Sequence, residues 1–120
     1  MIGVAQVLAD TRAQGRAALI GYLPVGFPDK ATSIAAMETM VENGCDIIEV
    51  GVPYSDPVMD GPTVQRAATA ALAGGTKVGD VFDAVAAVRA AGAPPLVMLY
   101  WNLVLRRGVT FKPDEKVLGV

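Results

Sequence analysis

Residues 46–62 read DIIEVGVPYSDPVMDGP, and this stretch decides how the rest of the chain can fold. Its beginning, Cys45 to Val52, is a short apolar run that contains a single acid, Glu49. Such a run predicts a strand buried on both faces, as in a parallel sheet. Because side chains alternate along a strand, Glu49 is expected to share one face with Ile47 and Gly51.

Glu49 is the first candidate functional residue. It lies near the carboxyl end of the predicted strand, which is where sites collect in α/β folds. Burial disfavours the charged form of a carboxylate, and this would suit a group that both gives and takes a proton near neutrality. A glutamate that pairs with a nearby Lys or Arg, or that caps the following turn, would occupy the same position. Both interpretations stay open at this point.

The second half of the stretch predicts a stiff, irregular loop. Proline removes a backbone donor and restricts the residue before it, and the loop contains Pro53, Pro57 and Pro62. Turns around Asp56 and Asp60 are expected to bring both carboxylates back near the strand end. Together with the acid of the strand they predict the rim of an active site. Local hydrogen bonding in an Asp-rich turn is the alternative, and for Asp56 alone we favour it.

The segment from Glu49 to Thr63, EVGVPYSDPVMDGPT, resembles the signature of the tryptophan synthase alpha subunit family. Residues 18–28, ALIGYLPVGFP, are similar to the first strand and loop of that family, and residues 98–102, MLYWN, to its third strand. The resemblance extends over about residues 16–109. It implies a (β/α)8 barrel that cleaves indole-3-glycerol phosphate to indole and glyceraldehyde 3-phosphate. A different phosphate-sugar barrel enzyme is a weaker alternative.

The same resemblance implies a role for each site residue. Glu49 would shuttle protons in the retro-aldol step, and Asp60 would accept a hydrogen bond from the indole N–H. The residues implied to line an apolar indole slot are Tyr22, Met98 and Tyr100. Those implied to touch the beta subunit are Pro53, Asp56 and Pro57. No metal or cofactor is implied for this chain, because pyridoxal phosphate would belong to the beta subunit.

Composition excludes several classes of protein. Ten basic against twelve acidic side chains give a net charge of −2, which argues against a nucleic-acid surface. No apolar run reaches the roughly 18 residues of a membrane span. The N-terminus lacks the basic-then-apolar order of a signal peptide, so a cytoplasmic location is the default expectation. A single cysteine, Cys45, and no histidine exclude an internal disulfide and argue against a zinc site.

Hydrophobic periodicity and punctuation by Gly and Pro predict alternating helices and strands. The predicted helices lie within residues 1–15, from Thr32 or Ser33 to Asn43-Gly44, from Pro62 to Ala73, and from Thr76 or Asp80 to Gly92. The predicted strands are 17–23, 45–52 and 96–101. This order is typical of a parallel sheet built from βαβ units. The adjacent pair Arg106-Arg107 is interpreted as a solvated turn.

A complete barrel needs about 250 residues, whereas this chain has 120 and three predicted strands. We therefore expect an α/β fold that contains the first three βα units of a TIM barrel and is incomplete. It would form one domain over residues 1–120, with a divergent tail at 110–120. Exposed sheet edges predict self-association. The alternative function is a truncated, catalytically inactive remnant that at most binds a beta subunit or self-associates.

Overall fold

The computed structural model describes residues 2–107 of the chain. Its helices are α1 (Val4–Ala13), α2 (Lys30–Glu42), α3 (Pro62–Ala73), α4 (Val78–Ala91) and α5 (Trp101–Arg107). Its strands are β1 (Ile20–Pro24), β2 (Ile47–Gly51) and β3 (Pro95–Met98). The predicted tail at 110–120 lies outside the described residues. None of the described helices is both long enough and apolar enough to cross a membrane.

The three strands form one parallel sheet in the order β1-β2-β3, so β2 is central. Glu49 is paired with Tyr22 on β1 and with Leu96 on β3. Gly51 is paired with Met98. The predicted alternation of strands and helices is therefore confirmed. Because residues paired in the register point to the same side of a parallel sheet, Tyr22, Glu49 and Leu96 share one face.

One face of the sheet packs against helices and forms the core. Ile48 and Val50 point into this layer and are fully buried. Their helical partners in the cluster, on α2 and α4, are Met37, Val81, Ala84, Val85 and Val88. Burying aliphatic side chains contributes about 1.5–3 kcal/mol each, so this layer is the main source of stability.

The opposite face of the sheet is much less covered. It carries the residues that alternate with the core positions, including Tyr22, Glu49 and Met98. Glu49 is only partly buried, and Met98 is 52% exposed. Ile20, at the start of the same face, is 47% exposed. The prediction that the Glu49 side chain is buried holds only in part: Glu49 is half-buried, whereas Ile47 on the same face is 1% exposed.

Several predicted boundaries were wrong. The third strand ends at Met98, and Trp101 begins α5 instead of ending the strand. Arg106 lies in this helix and is exposed, so the predicted solvated turn at Arg106-Arg107 is a helical segment. Asp29 caps α2, since its carboxylate accepts the Thr32 N–H at 2.8 Å, whereas Thr32 or Ser33 was the predicted cap.

The predicted start of α4 at Thr76 or Asp80 was also wrong, because the helix begins at Val78 with Lys77 as its N-cap. Other boundaries follow the predicted local chemistry. Helix α3 spans Pro62–Ala73, as the proline at its first position indicated. Asp80 lies in the first turn of α4, where its carboxylate accepts the Lys77 N–H at 2.8 Å. Gly92 ends this helix in the left-handed conformation, with φ of 107°.

An ion pair fixes the amino-terminal end of the sheet. Arg16 donates through both terminal nitrogens to the Asp46 carboxylate, at 2.8 and 2.7 Å. Asp46 also accepts the backbone N–H of Leu19 at 2.8 Å. The Arg16 guanidinium and this backbone bond lower the pKa of Asp46 to about 2. These contacts hold the segment before β1 against the segment before β2.

Asp46→Asn should lose a pH-dependent part of the stability. The folded-state pKa of Asp46, about 2, lies below the usual value of about 3.9, so its contribution is present above about pH 4. This contribution is lost as the pH falls toward 2. The urea midpoint of Asp46→Asn should therefore lie below that of the wild type at pH 7, and the difference should shrink steadily as the pH falls from 4 toward 2. Asp56→Asn, at an exposed loop position, is the control and should keep the wild-type urea midpoint at pH 7.

The chain should self-associate through its uncovered sheet. Within residues 2–107, β1 and β3 are edge strands, and apolar side chains such as Ile20 and Met98 lie about half exposed on one face. Sedimentation velocity over a tenfold concentration range should show a mass above that of the 12.4 kDa chain. A strictly monomeric, cooperatively folded species would contradict this expectation.

Candidate active site

A cleft opens at the carboxyl ends of the strands. Its volume is about 340 Å³, and its lining consists of Tyr22, Val52, Met59, Asp60, Met98, Leu99, Tyr100 and Trp101. The structure thus brings together four residues predicted for the site, which are Tyr22, Asp60, Met98 and Tyr100. The lining is mainly apolar and aromatic with one carboxylate at its rim, which is the usual composition of a small-molecule site.

Glu49 lies next to the cleft and is not among the residues that line it. It stands two positions before Gly51 on the same face of β2, deeper in the sheet, and its neighbour in the register on β1 is Tyr22. The ion pairs seen within residues 2–107 join Arg16 to Asp46 and Lys30 to Asp80 and Asp83. Glu49 takes part in none of them, so the interpretation of Glu49 as half of an ion pair with Lys or Arg finds no support there.

The Tyr22 hydroxyl lies close enough to Asp60 and Glu49 to feel the charge of both carboxylates. Burial raises the pKa of Tyr22, and the negative charges of Asp60 and then Glu49 raise it further. The phenol therefore stays protonated at neutral pH and can donate a hydrogen bond. Both acids act on one hydroxyl, so all three groups belong to one neighbourhood.

The close approach of Tyr22 to β2 requires a glycine. A Cβ atom added at Gly51 would lie 2.5 Å from the Tyr22 hydroxyl oxygen and 2.8 Å from its Cζ. Real Cβ atoms are not found at such distances, so any side chain at position 51 would displace the ring. Gly51 thus shapes the floor of the cleft.

Asp60 is held at the rim from two sides. The Tyr100 hydroxyl donates to Asp60 Oδ2 at 3.3 Å and accepts the N–H of Met59 at 3.0 Å. From α3, Gln65 Nε2 donates to the carbonyl oxygens of Asp60 at 3.0 Å and of Pro57 at 3.2 Å. These contacts bring Asp60 back to the strand end, as the loop chemistry predicted.

Sequence reasoning missed three residues that support this arrangement: Gln65, Tyr54 and Asn102. The Tyr54 ring stacks on that of Tyr100 with 4.6 Å between centroids. Asn102 Nδ2 donates to the Tyr54 hydroxyl at 2.7 Å. Tyr54 and Asn102 are part of the quoted motifs, and that was the only signal that could have drawn attention to them.

The residues predicted to face a partner differ in exposure. Asp56 is exposed at the tip of the loop, where it accepts the Ser55 hydroxyl at 3.1 Å. Pro57 is partly exposed, whereas Pro53 is buried. Asp56 and Pro57 are therefore accessible to another protein, and Pro53 instead belongs to the base of the loop.

Parallel strands joined by helices, with an apolar cleft at the carboxyl ends of the strands, define this fold as the first units of a (β/α)8 barrel. The family model described as tryptophan synthase alpha chain matches residues 8–117. The chain belongs to the tryptophan synthase alpha chain family. The predicted family and fold class are thereby confirmed, and the match is longer than the 16–109 over which the resemblance was first noted.

Curated relatives agree with this assignment. The chain is 63% identical over 106 residues to the tryptophan synthase alpha chain of Nocardia farcinica. The aligned region covers 88% of this chain and 40% of that protein. The chain is 62% identical over 114 residues to that of Mycobacterium tuberculosis, covering 94% of this chain and 42% of that protein. The chain therefore spans about two fifths of the length of these relatives.

Solved structures share the fold. A crystal structure of tryptophan synthase from M. tuberculosis, in an aminoacrylate-bound form, superposes with a TM-score of 0.86 at 61% identity, covering 88% of this chain and 43% of that chain. Tryptophan synthase subunit alpha from Legionella pneumophila superposes with a TM-score of 0.83 at 31% identity, covering 90% and 42% respectively.

Gly51→Ala should disturb the floor of the cleft. The added methyl group overlaps the Tyr22 phenol, so we expect a loss of about 1–3 kcal/mol in the free energy of unfolding and shifted Tyr22 ring signals in NMR spectra. Gly61→Ala is the matched control, since a Cβ there meets nothing within 4 Å. Combining Gly51→Ala with Tyr22→Ala should recover part of the loss. Unchanged stability and ring signals in Gly51→Ala would contradict the packing described.

Proposed function

We propose that this chain carries the catalytic acids of a tryptophan synthase alpha chain, a carbon–carbon lyase of tryptophan biosynthesis. The reaction is the retro-aldol cleavage of indole-3-glycerol phosphate to indole and glyceraldehyde 3-phosphate. The observation that supports it best is the meeting of Asp60 and Tyr22 across an apolar cleft, with Glu49 beside them at the end of β2. Family membership supports the same substrate.

Glu49 would move the protons of the reaction. Breaking the carbon–carbon bond requires that the indole C3 gain a proton, which turns the ring into an electron sink. The glycerol hydroxyl loses a proton as the aldehyde forms. A single carboxyl group next to the cleft and partly shielded from water suits both transfers.

Asp60 would hold the indole ring. Its Oδ2 accepts from the Tyr100 hydroxyl, and in the proposed complex Oδ1 would accept from the indole N–H. As the ring gains a proton at C3, positive charge develops at the nitrogen. A carboxylate held in place beforehand stabilises this charge without reorganisation during the reaction.

The apolar walls of the cleft would select the indole ring. Tyr22, Met98 and Tyr100 contribute aromatic and thioether surfaces, and the volume of about 340 Å³ falls within the range of small-molecule sites. Tyr22 remains a neutral hydroxyl there because burial and the neighbouring acids raise its pKa. The substrate phosphate needs oriented backbone N–H groups or a helix N-terminus.

The loop beyond β2 would contact a beta subunit. Asp56 is exposed there, and the neighbouring Val58 and Met59 are 79% and 86% exposed. Pro57 would contribute to the same surface, and the buried Pro53 would shape its base. Pyridoxal phosphate would belong to that partner, and the proposed chemistry of this chain uses side chains alone. The cytoplasm is the proposed location.

A second candidate is a non-catalytic module that binds a beta subunit or a second copy of itself. The openness of the cleft favours it, since Met98 and Trp101 in its lining are 52% and 66% exposed. Water has free access to such a site, and this weakens the electrostatic interactions on which the proposed chemistry depends.

Indole release separates the two candidates. The purified chain should release indole from indole-3-glycerol phosphate, with and without added beta subunit. Glu49→Gln should lower the rate about 10²–10⁴-fold because it removes the proton carrier. Asp60→Asn should lower it about 10²–10³-fold because it removes the charge beside the indole nitrogen.

Glu42→Gln is the control for this assay, since it changes an exposed glutamate at the end of α2 and should keep the wild-type rate. Indole release by the wild type at the level of Glu49→Gln would defeat the enzymatic proposal for this chain. Binding of a beta subunit without any indole release would then support the second candidate.

A further inference from the structure

A chain of contacts leads from the Asp60 carboxylate to two residues outside the cleft lining. The Tyr100 hydroxyl donates to Asp60 Oδ2 at 3.3 Å, and the Tyr100 ring stacks on Tyr54 at 4.6 Å with 27° between the planes. Asn102 Nδ2 donates to the Tyr54 hydroxyl at 2.7 Å. We infer that Tyr54 and Asn102 are positioning residues, which hold the Tyr100 ring and thereby fix the carboxylate of Asp60 above the cleft.

The placement of these residues carries the inference. Tyr54 lies in the loop that follows β2, whereas Tyr100 and Asn102 follow β3. The last backbone bond between these two chain segments joins the Val52 N–H to the Met98 carbonyl at 2.9 Å. Beyond it the sheet ladder has ended, and the side chains of Tyr54, Tyr100 and Asn102 continue the connection as far as Asp60.

The Tyr100 hydroxyl has two partners in the loop. It accepts the Met59 N–H at 3.0 Å while it donates to Asp60. A rotation of the Tyr100 side chain about its Cα–Cβ bond would carry the hydroxyl away and break both bonds together. The stack on Tyr54 opposes such a rotation, and the Asn102 amide keeps the Tyr54 ring in the stacking position. The Met59 amide therefore reports on the state of the whole arrangement.

The two positioning residues should differ in the size of their effects. An aromatic stack of this kind is worth a factor of about 3 to 10 in an equilibrium beyond its buried area. The bond from Asn102 to Tyr54 is exposed to solvent and should be worth about twofold to threefold. Removal of the Tyr54 ring is thus the stronger perturbation.

The inference deepens the proposed function and rests on it only for the role of Asp60. If Asp60 binds the indole N–H, a carboxylate that loses its fixed donor binds indole more weakly. The positions of Tyr100 and Asp60 can be measured without any substrate. Failure of the inference and failure of the proposed function can therefore be told apart.

The decisive experiment follows two NMR signals in the full 120-residue chain. These are solvent exchange of the Met59 amide and the ¹³C signal of the Asp60 carboxyl group. Tyr54→Leu should speed Met59 exchange about tenfold and shift the Asp60 signal toward its position in Tyr100→Phe, which lacks the hydroxyl. Tyr54→Phe keeps the ring and should change the exchange by only about twofold to threefold.

Asn102→Ala should match Tyr54→Phe, and the double variant should show no larger effect, because both substitutions remove the same hydrogen bond. Asn43→Ala is the matched control, since that amide bonds the Thr39 carbonyl at the far end of α2. The Val25 amide, bonded to the Gly51 carbonyl at 2.9 Å, serves as the internal reference and should keep its exchange rate in every variant.

Met59 exchange within twofold of the wild type in Tyr54→Leu, or an unshifted Asp60 signal, overturns the inference. Equal acceleration at Val25 and Met59 would mean general destabilisation and also overturns it. Indole titration then tests the functional part: Tyr54→Leu should weaken indole binding several-fold in the wild-type background and not at all in Asp60→Asn. A wild-type chain that binds no indole defeats the proposed function, while the two NMR signals still decide the positioning role.

Discussion

The alternation of side chains along β2 is the constraint on which the rest of the structure depends. Ile48 and Val50 enter the helical layer and are fully buried, so the strand has only one register that hides them. That register necessarily turns Glu49 and Gly51 to the other face. A shift by one residue would bury the acid and expose the core. The hydrophobic layer on one side of the sheet thus places the candidate site residue Glu49 on the other.

The face that carries Glu49 can hold polar groups because the main core cluster, around Ile48 and Val50, lies on the other face, although Ile47 is buried on this one. Tyr22 lies against Gly51 there, and the charges of Asp60 and Glu49 both act on its hydroxyl. In a sheet covered on both faces, two acids and a phenol close together would cost much desolvation energy. Here Glu49 and Asp60 are only partly buried, and the cost is correspondingly small.

The loop after β2 is ordered by contacts that differ from those of the core. The helical layer is held by aliphatic packing, whereas the loop is tied by Gln65 from α3 and by the Tyr100 hydroxyl from beyond β3. Directional polar contacts of this kind fix a carboxylate more precisely than packing alone would. The cleft therefore combines a rigid sheet floor with a rim set by hydrogen bonds.

Proline, glycine and capping residues at the ends of helices and strands made most of the elements predictable. The errors arose where several neighbouring residues could each have begun or ended the same element. Helix α3 was predicted correctly because Pro62 marks its start and Gly74 follows its last residue, so its two ends were unambiguous. The cap of α2 was wrong because Asp29, Thr32 and Ser33 all stand close to the helix start, and only geometry selects among them. The third strand was predicted too long because residues 99–101 are apolar, while the sheet ladder ends where β2 ends.

The sequence by itself determined the order of strands and helices, the central buried strand, the loop with its acids and the family. Each of these depends on periodicity, on proline and glycine, or on a contiguous motif, and all are written within short stretches of chain. Only the tertiary structure decided that Tyr22 covers Gly51, that Glu49 lies beside the cleft, and that Asn102 reaches Tyr54. The last contact joins residues 48 positions apart. Such contacts depend on sheet register and loop path together, and no local pattern of residues encodes both.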